Sequence, residues 1–218
     1  MTILLAVHIA DGVLWPEWEL AGFVFSGLLV LWSAWNVRED EISRVGVFTA
    51  AFFVASQVHL PLGGASVHLL LNGLVAVVLG RRAALAVAVG LGLQAFLFAH
   101  GGIVSLGVNV WNYAAPAVLG GVAFRRIRRT NRVPDFPLGF VLGAGVGFAT
   151  VALTALSLWL VGRNLGEVFP WVVFAANVPV VLVEAVGVGV IVQYLGKVKP
   201  EWLGYEASGN TSSNGTSH

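Results

Sequence analysis

Histidine is the residue type best suited to metal chemistry in this 218-residue sequence, which contains five histidines and no cysteine. Without thiolates the chain can form neither disulfides nor iron–sulfur clusters, so any metal ion must be held by nitrogen or oxygen ligands. Four of the histidines are His8, His59, His68 and His100. Imidazole is a ligand suited to nickel, cobalt, copper and zinc. Whether these side chains form one site depends on the elements that carry them.

The composition of the chain is typical of a membrane protein. Apolar residues make up 57% of it and charged residues 11%, whereas a soluble domain carries roughly 25% charged residues. No Asp, Glu, Lys or Arg occurs at positions 45–80 or 83–124. Lipid tolerates such runs, and because they lack the strict alternation of barrel strands, they predict helices. The net charge of +1 argues against a nucleic-acid partner.

We therefore predict an all-α, polytopic transmembrane bundle of about seven helices. The expected passes are the apolar stretches 20–37, 45–60, 66–80, 83–98, 104–124, 137–161 and 169–195. They form a single transmembrane domain over residues 1–198, followed by a polar tail, 199–218, that we expect to be disordered. The third stretch is shorter than the roughly 17 residues that a bilayer core requires.

The basic residues predict the orientation of this bundle, because Lys and Arg collect in cytoplasmic loops. The basic residues follow the odd-numbered passes, and Arg163, after the sixth pass, is the one that falls on the other side. The basic residues after the first, third, fifth and seventh passes include Arg38, Arg44, Arg81, Arg82, Arg125, Arg132, Lys197 and Lys199. The N-terminus is therefore expected outside and the C-terminus inside.

This topology places four histidines on the outer side of the membrane. Taken singly, a histidine near a helix end is more often an interfacial or hydrogen-bonded residue than a ligand. Four imidazoles on one face of a chain without cysteine favour a metal site instead.

Three stretches of the sequence resemble the CbiM/NikM family, the substrate-capture subunits of energy-coupling-factor importers for cobalt and nickel. They are residues 8–12 (HIADG), 63–69 (GGASVHL) and 94–112, which begins QAFLFAHGG and continues through LGVN. Their order and spacing match over most of the chain, from position 7 to about position 195. The resemblance implies a nearly planar nitrogen site for Ni(II) or Co(II). Its ligands are the terminal amine, the backbone nitrogen and imidazole of the second residue, and the imidazole of a Ser-x-His-Leu motif.

On this sequence the side-chain ligands implied by the resemblance are His8 and His68. Members of the family start Met-His, whereas six residues precede Val7 here. We therefore expect translation to start at Val7, read as methionine, so that Val7 supplies the amine and residues 7–14 form the metal-site segment. The alternative is that residues 1–6 are a genuine extension, which would require processing or an altered site.

Five further residues are candidates for supporting the site: His59, His100, Asn109, Asn112 and Glu184. The two histidines can orient the ligands through hydrogen bonds, or can be interfacial. Asn109 and Asn112 lie on one helical face, where their amides can meet a common partner. Helix–helix hydrogen bonding in lipid is the alternative. Glu184 lies well inside a predicted span, where a charge costs about 2.5–3.5 kcal/mol. It must be paired, protonated or facing a polar cavity.

The resemblance implies a transport subunit of the cell membrane and not an enzyme. The sequence has no Gly-x-x-x-x-Gly-Lys-[Ser/Thr] loop for ATP. The implied partners are two ATPase subunits, a coupling transmembrane subunit and, optionally, a small accessory membrane protein. No prosthetic group is expected, and nickel and cobalt, the implied cargoes, accept the same nitrogen donors. Two alternatives remain. An intramembrane metalloenzyme would require a carboxylate base near the histidines, and an autonomous metal channel would require a polar path through the membrane.

Overall fold

The protein is a bundle of apolar α-helices that carries one β-hairpin. The computed structural model describes residues 8–62, 65–69, 71–130, 132–163 and 166–204, with only the backbone of 59–62 and 65–68. The helices within these ranges are α1 (Pro16–Ala34), α2 (Glu39–Ala55), α3 (Asn72–Leu79), α4 (Ala83–Phe98), α5 (Leu106–Arg128), α6 (Asp135–Val161) and α7 (Phe169–Val198). The predicted all-α transmembrane class is confirmed.

The surface of the bundle is apolar, as lipid requires. Side chains such as Phe96, Leu119 and Leu31 are 80%, 70% and 69% exposed. In the described part of the chain, four helical stretches are long and apolar enough to cross a membrane. By length and composition alone they are α1, α6, α7 and the stretch 72–98, in which a 3₁₀ turn separates α3 from α4. The protein is therefore a multi-pass membrane protein.

The third expected pass, 66–80, differs from the prediction. Its first residues form a strand, and only α3, of 8 residues, is helical. A helix of that length spans about 12 Å, less than half of a bilayer core. The described residues thus contain six long helices and one short one, close to the predicted count of about seven.

The segment before α3 is an antiparallel β-hairpin that the sequence analysis did not predict. Strands β1 (His59–Leu62) and β2 (Ala65–His68) pair with His59 opposite His68. Two glycines, Gly63 and Gly64, separate the strands, and such a dipeptide suits a two-residue hairpin connection. The strands are too short to give a clear alternating pattern.

Between α3 and α4 the chain reverses direction at a 3₁₀ turn, Gly80–Arg82. Gly80 has φ +56°, a conformation that favours glycine. The Arg82 guanidinium is buried there and donates to the backbone carbonyls of Trp35 at 2.8 Å and Ser33, and to the Glu41 carboxylate at 2.7 Å. It thereby ties the end of α1 and the start of α2 to the turn.

Helices α6 and α7 approach closely along a row of glycines. A Cβ added to Gly139, Gly143 or Gly147 would lie within 2.9 Å of a valine side chain of α7. Small residues at spacing i, i+4 allow such close approach in membrane bundles. This contact fixes α7, which carries Glu184, against the rest of the core.

The polar tail begins later than residue 199, and the prediction is wrong for its first residues. Pro200–Leu203 forms a 3₁₀ turn in which Leu203 is only 1% exposed. The Trp202 ring packs edge-on against Phe48 of α2 at 6.1 Å. These apolar contacts hold the turn against the bundle, and residues 205–218 lie outside the described part.

Candidate functional site

His8 is buried at the end of the bundle opposite the Arg82 turn. Its imidazole stacks on Tyr113 of α5, with ring centroids 5.1 Å apart and ring planes 14° apart. The half-buried His100, which follows α4, presents its ring edge-on to His8 with the centroids 6.4 Å apart. Two of the four predicted histidines therefore lie together. The sequence analysis missed Tyr113, although it lies four residues after Asn109, on the same helical face.

Asn109 fixes the backbone next to His8. Its Oδ1 accepts a hydrogen bond from the Ile9 amide at 2.9 Å, and its Nδ2 donates to the carbonyls of Ile9 at 2.9 Å and Gly101 at 3.0 Å. One side chain of α5 thus fixes the position of the N-terminal segment relative to the loop after α4. The supporting role of Asn109 at a metal site stays a prediction, and these hydrogen bonds are consistent with it.

Asp11 shapes the same region from the N-terminal segment, as its position beside Gly12 indicates. Its carboxylate accepts from the backbone amides of Ile103 at 3.0 Å and Ser105 at 2.9 Å, immediately before α5. Gly102 has φ +72°, and a Cβ there would lie 2.1 Å from the Asp11 carboxylate. A glycine is therefore required for this close contact.

Among the described residues, Asn112 and Asn109 have different hydrogen-bond partners, although their spacing allows a common one. The Asn112 amide exchanges hydrogen bonds with the Ser157 hydroxyl of α6 at 3.2 and 3.3 Å. The side chain links two helices within the bilayer, the alternative that the sequence left open. Three residues of separation set the two amides side by side, but the neighbouring elements decide what each of them meets.

Glu184 reaches from α7 to the start of α3. Its Oε1 accepts a hydrogen bond from the Leu71 amide at 3.1 Å. A carboxylate at a helix N-terminus interacts favourably with the helix dipole and with amides that have no partner inside the helix. The buried acid is paired in this way with the short helix.

The contact between Glu184 and Leu71 also brings the end of the hairpin toward His8. His68, the last residue of β2, precedes Leu71 by three residues, and three residues of chain span at most about 10 Å. Tyr113 stacks on His8, and its backbone carbonyl accepts a hydrogen bond at 2.9 Å from Asn72, the residue after Leu71. Contacts thus connect the N-terminal segment to the strand that ends at His68.

The ligand set itself stays a prediction. Val7 lies outside the described residues, and of His59 and His68 only the backbone is described. Among the described side chains, no three His, Asp or Glu residues lie close enough to hold a metal ion together. The described part supplies the two imidazoles of His8 and His100 and the frame around them.

A sequence model of one protein family matches most of this chain. The family is described as "CbiM: Cobalt uptake substrate-specific transmembrane region", and the match covers residues 8–202. The matched range begins at His8 and ends after the α7 helix, so it contains every described element of the candidate site.

Known proteins with similar sequences are named as metal transporters. A putative metal transport protein of Haemophilus influenzae is 33% identical over 89% of this chain and 96% of its own length. A putative fused nickel transport protein, NikMN, of Archaeoglobus fulgidus is 38% identical over 58% of this chain. The match covers 44% of that fused protein.

A crystal structure titled as a transition metal transporter has a similar fold. It matches 88% of this chain and 93% of its own with a TM-score of 0.77, at 23% sequence identity. At that identity the likeness concerns the arrangement of the helices alone.

Proposed function

Starting from the fact that this chain belongs to the CbiM family of cobalt-uptake transmembrane proteins, we propose that it captures Ni(II) or Co(II) for an ATP-driven energy-coupling-factor importer. The chain is a membrane component of cobalt or nickel uptake, as its family and relatives are. The proposal adds where the ion binds, which face it enters from and what drives its transport.

The observation that supports capture best is the burial of His8 beside a second imidazole. A histidine only 9% exposed and held through Asn109 is preorganised, so little rotational freedom is lost when a metal ion binds. Nitrogen donors suit both nickel and cobalt. The metal is the cargo, and no prosthetic group belongs to the proposal.

We assign the ligands as the Val7 amine, the backbone nitrogen and imidazole of His8, and the imidazole of His68. His59 and His100 orient these ligands, and Asn109 and Glu184 position the segments that carry them. A start at Val7 is part of this assignment. Intact-mass analysis of protein made from the native gene checks it, because retention of residues 1–6 would remove the proposed amine.

The proposed assembly follows from the opposite end of the molecule. Arginines cluster there, and the positive-inside rule makes that end cytoplasmic and the His8 end external in the cell membrane. Two ATPase subunits and a coupling transmembrane subunit, with a small accessory membrane protein as an optional addition, would act on the bundle from the cytoplasmic side.

Metal analysis of purified protein tests the site. We expect wild type to retain nickel or cobalt, and His8→Ala and His68→Ala to raise the metal Kd at least about tenfold, because each removes a ligand. His218→Ala is the matched control, since it removes the fifth imidazole, which lies in the polar tail. Unchanged metal content in both site variants would refute the assignment.

Uptake assays test the driving force. With the ATPase and coupling subunits co-expressed, we expect uptake of labelled metal that stops when ATP hydrolysis is blocked. Uptake by this chain alone would indicate an autonomous channel. A chemical turnover that depends on bound metal would indicate a metalloenzyme instead.

A further inference from the structure

The cytoplasmic end of the bundle contains a charged pocket that the metal proposal does not use. It is a cavity of about 270 Å³ between the start of α2, the end of α5 and the 3₁₀ turn after α7. We call it the arginine pocket, and its lining residues include Arg38, Arg44, Arg125, Arg129, Glu201 and Trp202.

The acids around the arginine pocket are already engaged. Asp40 binds Arg38 at 2.9 Å, Glu41 binds Arg82 at 2.7 Å, and Glu201 lies 3.6 Å from Lys199. Three acids, Asp40, Glu41 and Glu201, line the pocket, yet among the described residues none of them forms an ion pair with Arg125 or Arg129.

Arg125 lines the arginine pocket, and its side chain is half-buried. A Cβ on Gly80 would lie 2.5 Å from the Arg125 Cζ, so the guanidinium lies directly over that glycine. Its buried Nε meets no hydrogen-bond acceptor among the described residues, and its Nη2 reaches only the Val78 carbonyl at 3.4 Å. The like charges of Arg44 and Arg129 repel it, and the Glu41 carboxylate attracts it. A half-buried cation in such surroundings is unfavourable unless an anion joins it.

We propose that the arginine pocket binds the phosphodiester of an anionic phospholipid of the cytoplasmic leaflet. Guanidinium groups match phosphate oxygens through paired hydrogen bonds, and basic pockets between transmembrane helices on the cytoplasmic side suit lipid head groups. The pocket lies at the start of α2 and the end of α5, and helix ends in a membrane bundle lie near the lipid head groups. Trp202 on its wall is a residue type enriched at that interface. This proposal is independent of the metal site.

Thermal unfolding of the purified full chain in detergent, with defined lipids added, tests the proposal. We expect phosphatidylglycerol to raise the Tm of wild type by about 3–5 °C over phosphatidylcholine. Arg125→Gln combined with Arg129→Gln is expected to lose most of that shift. Arg129→Gln alone, at an exposed position, is expected to lose part of it, which keeps the test valid if the double variant folds poorly.

The matched control is Arg126→Gln combined with Arg132→Gln, which removes the same charge from the same end but lies outside the pocket lining. This control is expected to keep the full shift. An equal loss in control and pocket variants would mean that general charge alone attracts lipid, and would overturn the proposal. The same holds if inorganic phosphate reproduces the shift in wild type. A normal lipid shift with loss of the co-purified coupling subunit in the pocket variants would make the pocket a protein contact, and would also overturn it.

Discussion

Asn109 offers the sharpest test of how a single side chain prepares the candidate site. Replacing it by alanine leaves the Ile9 amide and carbonyl buried without their partner, a loss of about 1–3 kcal/mol. Because Ile9 follows His8 directly, we expect Asn109→Ala to weaken metal binding by about 10-fold to 100-fold. A metal titration of the purified variant measures this effect.

Asn112→Ala is the control for that prediction, because it removes the same side chain one turn further along α5. Its hydrogen bonds go to Ser157, so it should lower the Tm and leave the metal Kd within about twofold. If both variants lower affinity equally, Asn109 acts through general stability and not by positioning His8.

For single residues, the sequence was enough to name candidate site residues, but not to predict which side chains they contact. His8 was identified from its residue type and from the resemblance to the CbiM/NikM family, and Glu184 from its predicted depth, because a buried acid in lipid requires a reason. Tyr113 was not, since a tyrosine in an apolar helix has no distinctive pattern until His8 is seen to stack on it. The separate partners of Asn109 and Asn112 depend on which elements lie beside α5, and helical spacing does not contain that information.

Among the elements, the junction of α3, α6 and α7 controls the stability of the core. A Cβ on Gly143 would lie 2.9 Å from the Val188 Cβ, and one on Gly73 of α3 would lie 2.8 Å from the Gly143 Cα. We expect Gly143→Val to destabilise the protein by about 1–3 kcal/mol through overpacking. Thermal unfolding in detergent should show this as a lower Tm.

Gly145→Val is the matched control, since the position lies on the same helix and a Cβ there meets no atom within 4 Å. Its Tm should stay close to that of wild type. A fall of equal size would show that valine itself, and not the contact with α7, disturbs α6.

Hydropathy predicted the long helices well, and α4 spans the predicted range, 83–98. It failed between residues 59 and 80, where a hairpin and a half-length helix share one apolar run. A continuous apolar pattern does not reveal a strand of four residues. The end of the third pass at residue 80 and the loop at Arg81 and Arg82 were predicted, and the structure has a 3₁₀ turn there. All eight residues of α3 are buried, so tertiary packing supports this short helix, and Glu184 adds a hydrogen bond to the amide of Leu71 at its N-terminus.

For the molecule as a whole, the two ends of the bundle have different chemistry. One end combines His8, His100 and the β-hairpin, whereas the other combines the Arg82 turn with the arginine pocket. Helix α3 runs from the Glu184 contact toward the arginine end, and α4 returns to the histidine end. A displacement of α3 would therefore act on both ends, which gives a physical route between the proposed metal site and the proposed cytoplasmic partners.

Orientation in the membrane is the prediction that joins these two ends to transport. The sequence has no cysteine, so single cysteines can be introduced without background. Ile103, 57% exposed before α5, and Thr130, exposed after α5, lie at opposite ends of one helix. Because the positive-inside rule places the arginine end in the cytoplasm, Ile103→Cys should react with a membrane-impermeant maleimide in intact cells. Thr130→Cys should react only after permeabilisation, and the reverse pattern would place the histidines inside the cell, where they could not capture metal for import.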